Sequence, residues 1–295
     1  MRTVSVPFVC LALAASAAAS ARDSTFDREV AAEPKGVVEI TNVAGSIQVS
    51  GWDRNTVSIH GELGESVERV DVTSQPGRTT IKVVLPEHSS RHGDADLKIQ
   101  VPQGSELDIS AVSADVTTGK VLGAQRLQSV SGDVHADVAA DADVKTVSGD
   151  ITVKGHGQPG SLHFTSVSGD LRVERLGGDV ELSTVSGDVK GTLDATHGLR
   201  ARTTSGDLRL GGRMGRAVSV DAESVSGELT LNASADGGYA YELRSFSGDI
   251  NNCFGAQAER TSQYAPGRVL RGSRGEGAGK VYMKSMSGDL TLCDK

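Results

Sequence analysis

Rings are almost absent from this chain: five Phe, four Tyr and one Trp amount to 3% of 295 residues. Its core must therefore be made of small aliphatic side chains. Proline is scarce as well, at 7 against 36 glycines, a balance that fits many tight turns between short strands better than a disordered tract. The nucleophile elbow G-x-S-x-G, the phosphate loop, the zinc motif H-E-x-x-H, the dinucleotide fingerprint G-x-G-x-x-G and short acyltransferase-type hexapeptide repeats are all missing. The sequence thus offers no catalytic residue, no metal site and no cofactor. Positive charge is short too, with 30 Lys plus Arg against 38 Asp plus Glu, which disfavours nucleic acid and anionic lipid as partners.

What is present begins with a leader. Residues 1–21, MRTVSVPFVCLALAASAAASA, place Arg2 before an apolar stretch and close on Ala19-Ser20-Ala21, the layout of an export signal cleaved after Ala21. An uncleaved anchor is the alternative, but the stretch is short and leans on weakly hydrophobic alanine. Cys10 lies inside the apolar stretch, away from the position of a lipid-anchored cysteine. Cleavage removes one of the 30 cations and none of the 38 acids, leaving 29 − 38 = −9. No later segment is apolar enough to span a bilayer. A monomer in the periplasm, at the cell surface or secreted is expected.

The word Ser-Gly-Asp then occurs seven times. A catalytic site is needed once, so such repetition points to architecture. Aligned on its glycine, with Ala114 and Gly227 as variants, the positions are 114, 132, 149, 169, 187, 206, 227, 248 and 288, at steps of 18, 17, 20, 18, 19, 21, 21 and 40. Two residues after each glycine stands an aliphatic residue, from Val116 to Leu290; five before it most residues are apolar, from Ile109 to Met283. Two before it come Val112, Val130, Val147, Val167, Val185, Thr204, Val225, Phe246 and Met286. The step of three between the last two sets would swap faces in a straight strand. A bend just ahead of the signature is therefore predicted, turning both sets inward.

A unit of two short strands and two turns cannot bury its apolar side alone, and stacking solves that. The expected fold is all-β: a parallel β-solenoid, or β-helix, with rungs of about 20 residues over 108–295. Residues 22–107 are expected to form a β-rich N-terminal cap or irregular first rungs, with VAGSIQV as a degenerate rung. An antiparallel meander of hairpins is the alternative, but it would not need the same word at every bend. The expected turn residues are Gly132, Asp133, Gly149, Asp150, Gly169, Asp170, Gly187, Asp188, Gly206, Asp207, Gly248, Asp249, Gly288 and Asp289, with glycine supplying room for tight or left-handed backbone.

The leader, the early strand GSIQVSGWD, the VPQG element at 101–104 and the serial SGD-V units together resemble a bacterial family of adhesin-like proteins with β-strand repeats, a domain without assigned function. The resemblance implies a β-solenoid exposed in the cell envelope, in adhesion or envelope maintenance. It supplies no catalytic residues. Three functions follow as expectations: a non-enzymatic adhesin-like protein binding an envelope component, glycan or protein; an envelope-stress or structural factor; and, least favoured, a polysaccharide-active β-helix enzyme.

Stacked aspartates about 4.8 Å apart repel by roughly 1 kcal/mol per pair in water. Either they accept hydrogen bonds from turn N–H groups or they hold calcium; the first is favoured, since the nine-residue calcium repeat is absent. Cys253 and Cys293 occupy equivalent places, five residues after Gly248 and Gly288. On adjacent rungs they would form a disulfide, and residues 254–284 would leave the stack as a loop or hairpin; a hidden rung there would forbid the bond. The cations of that segment, Arg260, Arg268, Arg271, Arg274 and Lys280, are read as balancing nearby acids. His88 and His92 are a weak metal signal, and Trp52 is expected to pack in the N-terminal region.

Overall fold

The computed structural model describes residues 24–86, 93–235, 237–262 and 265–294. The expected leader at residues 1–21, His88 and His92 lie outside the described residues. Regular structure within them is entirely β, with 22 strands and no helix. No described helix is long and apolar enough to cross a membrane, which leaves membrane-crossing strands unaddressed.

Units stack as parallel strands one period apart. The aliphatic residue two after each signature glycine pairs with its equivalent in the next unit, giving a file Ile47, Val116, Val134, Ile151, Leu171, Val189, Leu208, Leu229, Leu290, Ile250. A second file runs Ile40, Ile109, Leu127, Val144, Phe164, Leu182, Ala201, Ala222, Met283, Leu243. Both files are buried. Each full-size aliphatic so covered stabilises the chain by about 1.5–3 kcal/mol, and the two files meeting in one interior make a solenoid-like stack. The VAGSIQV segment is one of its layers, since Gly45 pairs with Ala114 and Ile47 with Val116.

Chain order and spatial order part company at both ends. The strand Val37–Trp52 lies one layer in, between Glu106–Gly119 and the later Arg78–Val84 and Ala95–Pro102. At the other end Gly279–Ser287 and Leu290–Cys293 lie between the layer of Leu208–Ser226 and Leu229–Ala235 and that of Gly238–Ser247 and Ile250–Asn252. The 40-residue step therefore folds back, and the last signature in sequence is next to last in space. Antiparallel strands cover the outermost edges, which would otherwise present unpaired backbone groups. Thr56–Leu63 and Arg69–Gln75 do this at one end, and Ala265–Gly275 does it on Gly238–Ser247 at the other.

One expectation is overturned. The set two before the glycine does not point inward: Val112, Val130, Val147, Val167, Val185, Val225, Phe246 and Met286 are between 40% and 58% exposed. The inward position is instead three before the glycine, where Ser129, Thr146, Ser166, Thr184, Thr203, Ser224, Ser245 and Ser285 are buried. Strand alternation thus runs unbroken through seven, five and three before the glycine, and the bend follows the apolar residue. A hydroxyl suits the inside of the corner because it can accept from the glycine N–H, as Ser129, Thr146 and Ser166 do at 2.8–3.0 Å.

Candidate functional site

The corner is built from three stacked rows. Signature glycines lie directly on one another: an added Cβ would come 2.0 Å from the Ala114 carbonyl oxygen at Gly132, 2.1 Å from that of Gly132 at Gly149 and 1.9 Å from that of Gly149 at Gly169. None of these three has a positive φ, so close stacking, rather than left-handed backbone, demands glycine. Gly187, Gly206, Gly248 and Gly288 meet the neighbouring carbonyl oxygen in the same way, at 2.1–2.3 Å.

Beside the glycines, each aspartate accepts a hydrogen bond from the backbone N–H of the corresponding acid one layer on. The chain runs Asp115 to Asp133, Asp133 to Asp150, Asp150 to Asp170, Asp170 to Asp188, Asp188 to Asp207 and Asp207 to Glu228, each at 2.9–3.0 Å, and Asp289 accepts from Asp249 at 2.8 Å. Cations offset their mutual repulsion. Arg172 reaches Asp150 and Asp170, Lys190 reaches Asp188, Arg209 reaches Asp207 and Glu228, and Arg268 reaches Asp249. Among the described residues no cluster of three potential ligands could hold a metal ion.

Burial pushes the Asp150 carboxyl up, but the Asp170 N–H and the Arg172 guanidinium outweigh it and hold it below its ordinary value of 3.8. Lys190, and then the Asp207 N–H, hold Asp188 down likewise. A carboxyl so depressed stabilises the fold fully above its ordinary value and loses that contribution as pH falls through its folded value. Both are partly exposed, so solvent screening limits each to less than about 1 kcal/mol. Thermal unfolding followed by circular dichroism is expected to decline less steeply from about pH 4 to 3 in an Asp150→Asn, Asp188→Asn double variant than in the native chain.

On the outer side of the same corner stands the apolar row. Register places Val185 beside Thr204, Thr204 beside Val225, Val225 beside Met286 and Met286 beside Phe246, so the row runs Val112, Val130, Val147, Val167, Val185, Thr204, Val225, Met286, Phe246. Eight layer steps of about 4.8 Å make it about 38 Å long. Of the nine exposed large hydrophobic residues described, eight belong to this row and Leu122 is the other. Thr204 shows that the corner does not itself require an apolar residue at this place; the apolar choice elsewhere makes a contiguous strip of the kind that marks an interaction surface. Exposed serines such as Ser131, Ser148 and Ser168 border it on the corner side. The sequence contained the signal in the buried hydroxyl three before each glycine, which fixes the next residue outward.

Elsewhere the outer face is polar. A groove of about 300 Å³ is lined by His163, Glu181, Arg200 and Asp221 among others. These residues pair across layers, His163 with Glu181 and Arg200 with Asp221, at 3.6–3.9 Å.

At the fold-back end Cys253 and Cys293 form a disulfide with Cα atoms 5.0 Å apart, the kind of bond kept in oxidising compartments. Of the intervening chain, Glu259–Ser262 and Ala265–Gly275 form a hairpin that covers the outermost layer, and from Gly279 on the chain is back in the stack, so only part of residues 254–284 departs from it. Three of the five cations read as balancing acids do so: Arg268 pairs with Asp249, Arg271 with Glu242 and Arg274 with Asp294. Trp52 is half-buried, donates Nε1–H to the Thr56 carbonyl oxygen at 2.8 Å and lies under the Arg54 guanidinium.

No curated protein matches the chain. Solved structures do. An adhesin candidate from Bacteroides fragilis is 11% identical, with 92% of this chain and 98% of that one covered at a TM-score of 0.44. An adhesin candidate from Parabacteroides distasonis is 11% identical, with 93% and 98% covered at 0.39. A lipid-binding protein candidate from the same organism is 11% identical, with 92% and 96% covered at 0.34. The family model described as Toastrack DUF4097 matches twice, over residues 34–197 and 176–293. With its signature corners accounted for and nearly all of residues 34–293 matched, the chain belongs to the Toastrack DUF4097 family.

Proposed function

We propose that this protein is a non-enzymatic, adhesin-like component of the cell envelope, exported to the periplasm or cell surface, whose β-solenoid shaft presents the apolar row as a docking edge for a protein or other envelope component. The observation that carries this reading is the row itself: eight hydrophobic side chains held 40–58% exposed in single file, at a place where Thr204 shows that a polar residue also serves. The disulfide supports an oxidising compartment. Polar groups of the outer face such as His163 with Glu181 and Arg200 with Asp221 pair between layers, which supports a structural role for them.

The test compares native protein with a Val147→Thr, Val167→Thr, Val185→Thr variant for retention on isolated cell envelopes. These residues are half-exposed, so the substitutions are expected to leave thermal stability nearly unchanged while lowering retention about 10-fold or more. Equal retention by the two proteins would refute the docking edge.

A further inference from the structure

We propose that the partner of the apolar row is the same row on a second copy of this chain, in a parallel side-by-side pair. The inference rests on the row being a docking edge, and it replaces the single-chain state expected from the sequence. Pitch is the first ground. The row repeats every layer, about 4.8 Å, over about 38 Å; another copy offers the same pitch over the same length, so each side chain can meet its counterpart along the entire file. Size is the second. Eight half-exposed apolar side chains, with the serine row beside them, approach the roughly 800 Å² per partner that a stable pair buries.

Charge selects the arrangement. Two identical edges can face each other about a two-fold axis lying across the file or along it. Across the file, each aspartate row meets the other aspartate row, and since among the described residues its nine acids hold only the four cations Arg172, Lys190, Arg209 and Arg268, the contact is one of net like charge. Along the file, the row four before the glycine in one copy faces the aspartate row of the other. That row contains Lys145, Arg202, Lys284 and Arg244, and Glu223 is its single acid. All four cations are exposed; Lys145, Arg202 and Arg244 also contact Asp143, Glu223 and Glu242 of their own chain and would share their charge with the second copy. The second arrangement sets Lys145 opposite Asp150, Arg202 opposite Asp207, Lys284 opposite Asp289 and Arg244 opposite Asp249, at matching heights, so the pairing is electrostatically complementary.

Sedimentation velocity on the processed chain, from about 1 to 200 μM at about 0.15 M salt, tests the pairing. A dimer is expected. The Val147→Thr, Val167→Thr, Val185→Thr variant is expected to raise its dissociation constant at least 10-fold, and a Lys145→Glu, Arg202→Glu variant to raise it as well, with circular dichroism unchanged in both. A native chain that stays monomeric throughout overturns the inference; if it is still retained on envelopes through the row, the docking edge itself survives. A dimer indifferent to the valine substitutions also overturns it. So does monomeric protein co-sedimenting, through the row, with vesicles of phosphatidylcholine and phosphatidylglycerol.

Discussion

A single methyl group added by Gly169→Ala is expected to destabilise the protein by about 3 kcal/mol or more, lowering its melting temperature by roughly 6–12 °C. The new Cβ would lie 1.9 Å from the Gly149 carbonyl oxygen, 2.6 Å from its carbonyl carbon and 3.0 Å from the Ser166 hydroxyl. Relief requires one layer to lift off another. Backbone bonds on both sides oppose that, since Ser168 N–H donates to Val147 and Leu171 N–H to Asp188, both at 2.9 Å. Gly169 has no positive φ, so the loss would report stacking alone. Gly119→Ala is the control: a Cβ there has no atom within 4 Å, and a change within about 0.5 kcal/mol is expected. Thermal unfolding monitored by circular dichroism reads both. Equal melting temperatures would mean that the corners are not in contact.

Loss of the Cys253–Cys293 bond should be nearly as costly, but confined to one end. The bond closes a loop of sequence separation 40, worth up to about 4 kcal/mol by chain entropy. It joins the penultimate layer to the outermost one, and the fold-back leaves the outermost strand Ile250–Asn252 paired only to Leu290–Cys293 among the described residues. In a Cys253→Ala, Cys293→Ala variant, amide hydrogen exchange is expected to accelerate at least 100-fold in residues 238–252 and 279–293, with little change near residues 134–155, because stacked units couple mainly to their neighbours. Uniform acceleration along the chain would contradict a bond that acts on the end layers.

The regular part of this architecture was legible because each layer repeats one physical problem. An aliphatic two after every glycine, another five before it and turn residues between them state two strands and a corner. The cysteine pairing was legible for the same reason, as equivalent positions on layers that touch. What escaped was which way the apolar residue before the signature faces. Hydrophobicity alone would bury it, whereas the serine or threonine one place earlier occupies the interior, where Ser129, Thr146 and Ser166 cap the glycine amide. The interleaved ends escaped as well. Nothing in the local pattern distinguishes a layer that follows its predecessor from one inserted beside an earlier layer; that choice belongs to the covering strands, whose pairings are long-range.

Pairs of spin labels, with one label at Ser131→Cys and the other at Ser226→Cys, Ser287→Cys or Ser247→Cys, test the stack most directly through their double electron–electron resonance distances. Cys253 and Cys293 are already bonded to each other, Cys10 is replaced by serine for the labelling, and all four labelled serines are exposed. Five, six and seven layers of separation predict about 24, 29 and 34 Å, with position 287 nearer than 247 although it comes later in the chain. Steps of about 10 Å per unit, as adjacent hairpins would give, or distances rising in sequence order, would contradict the stack.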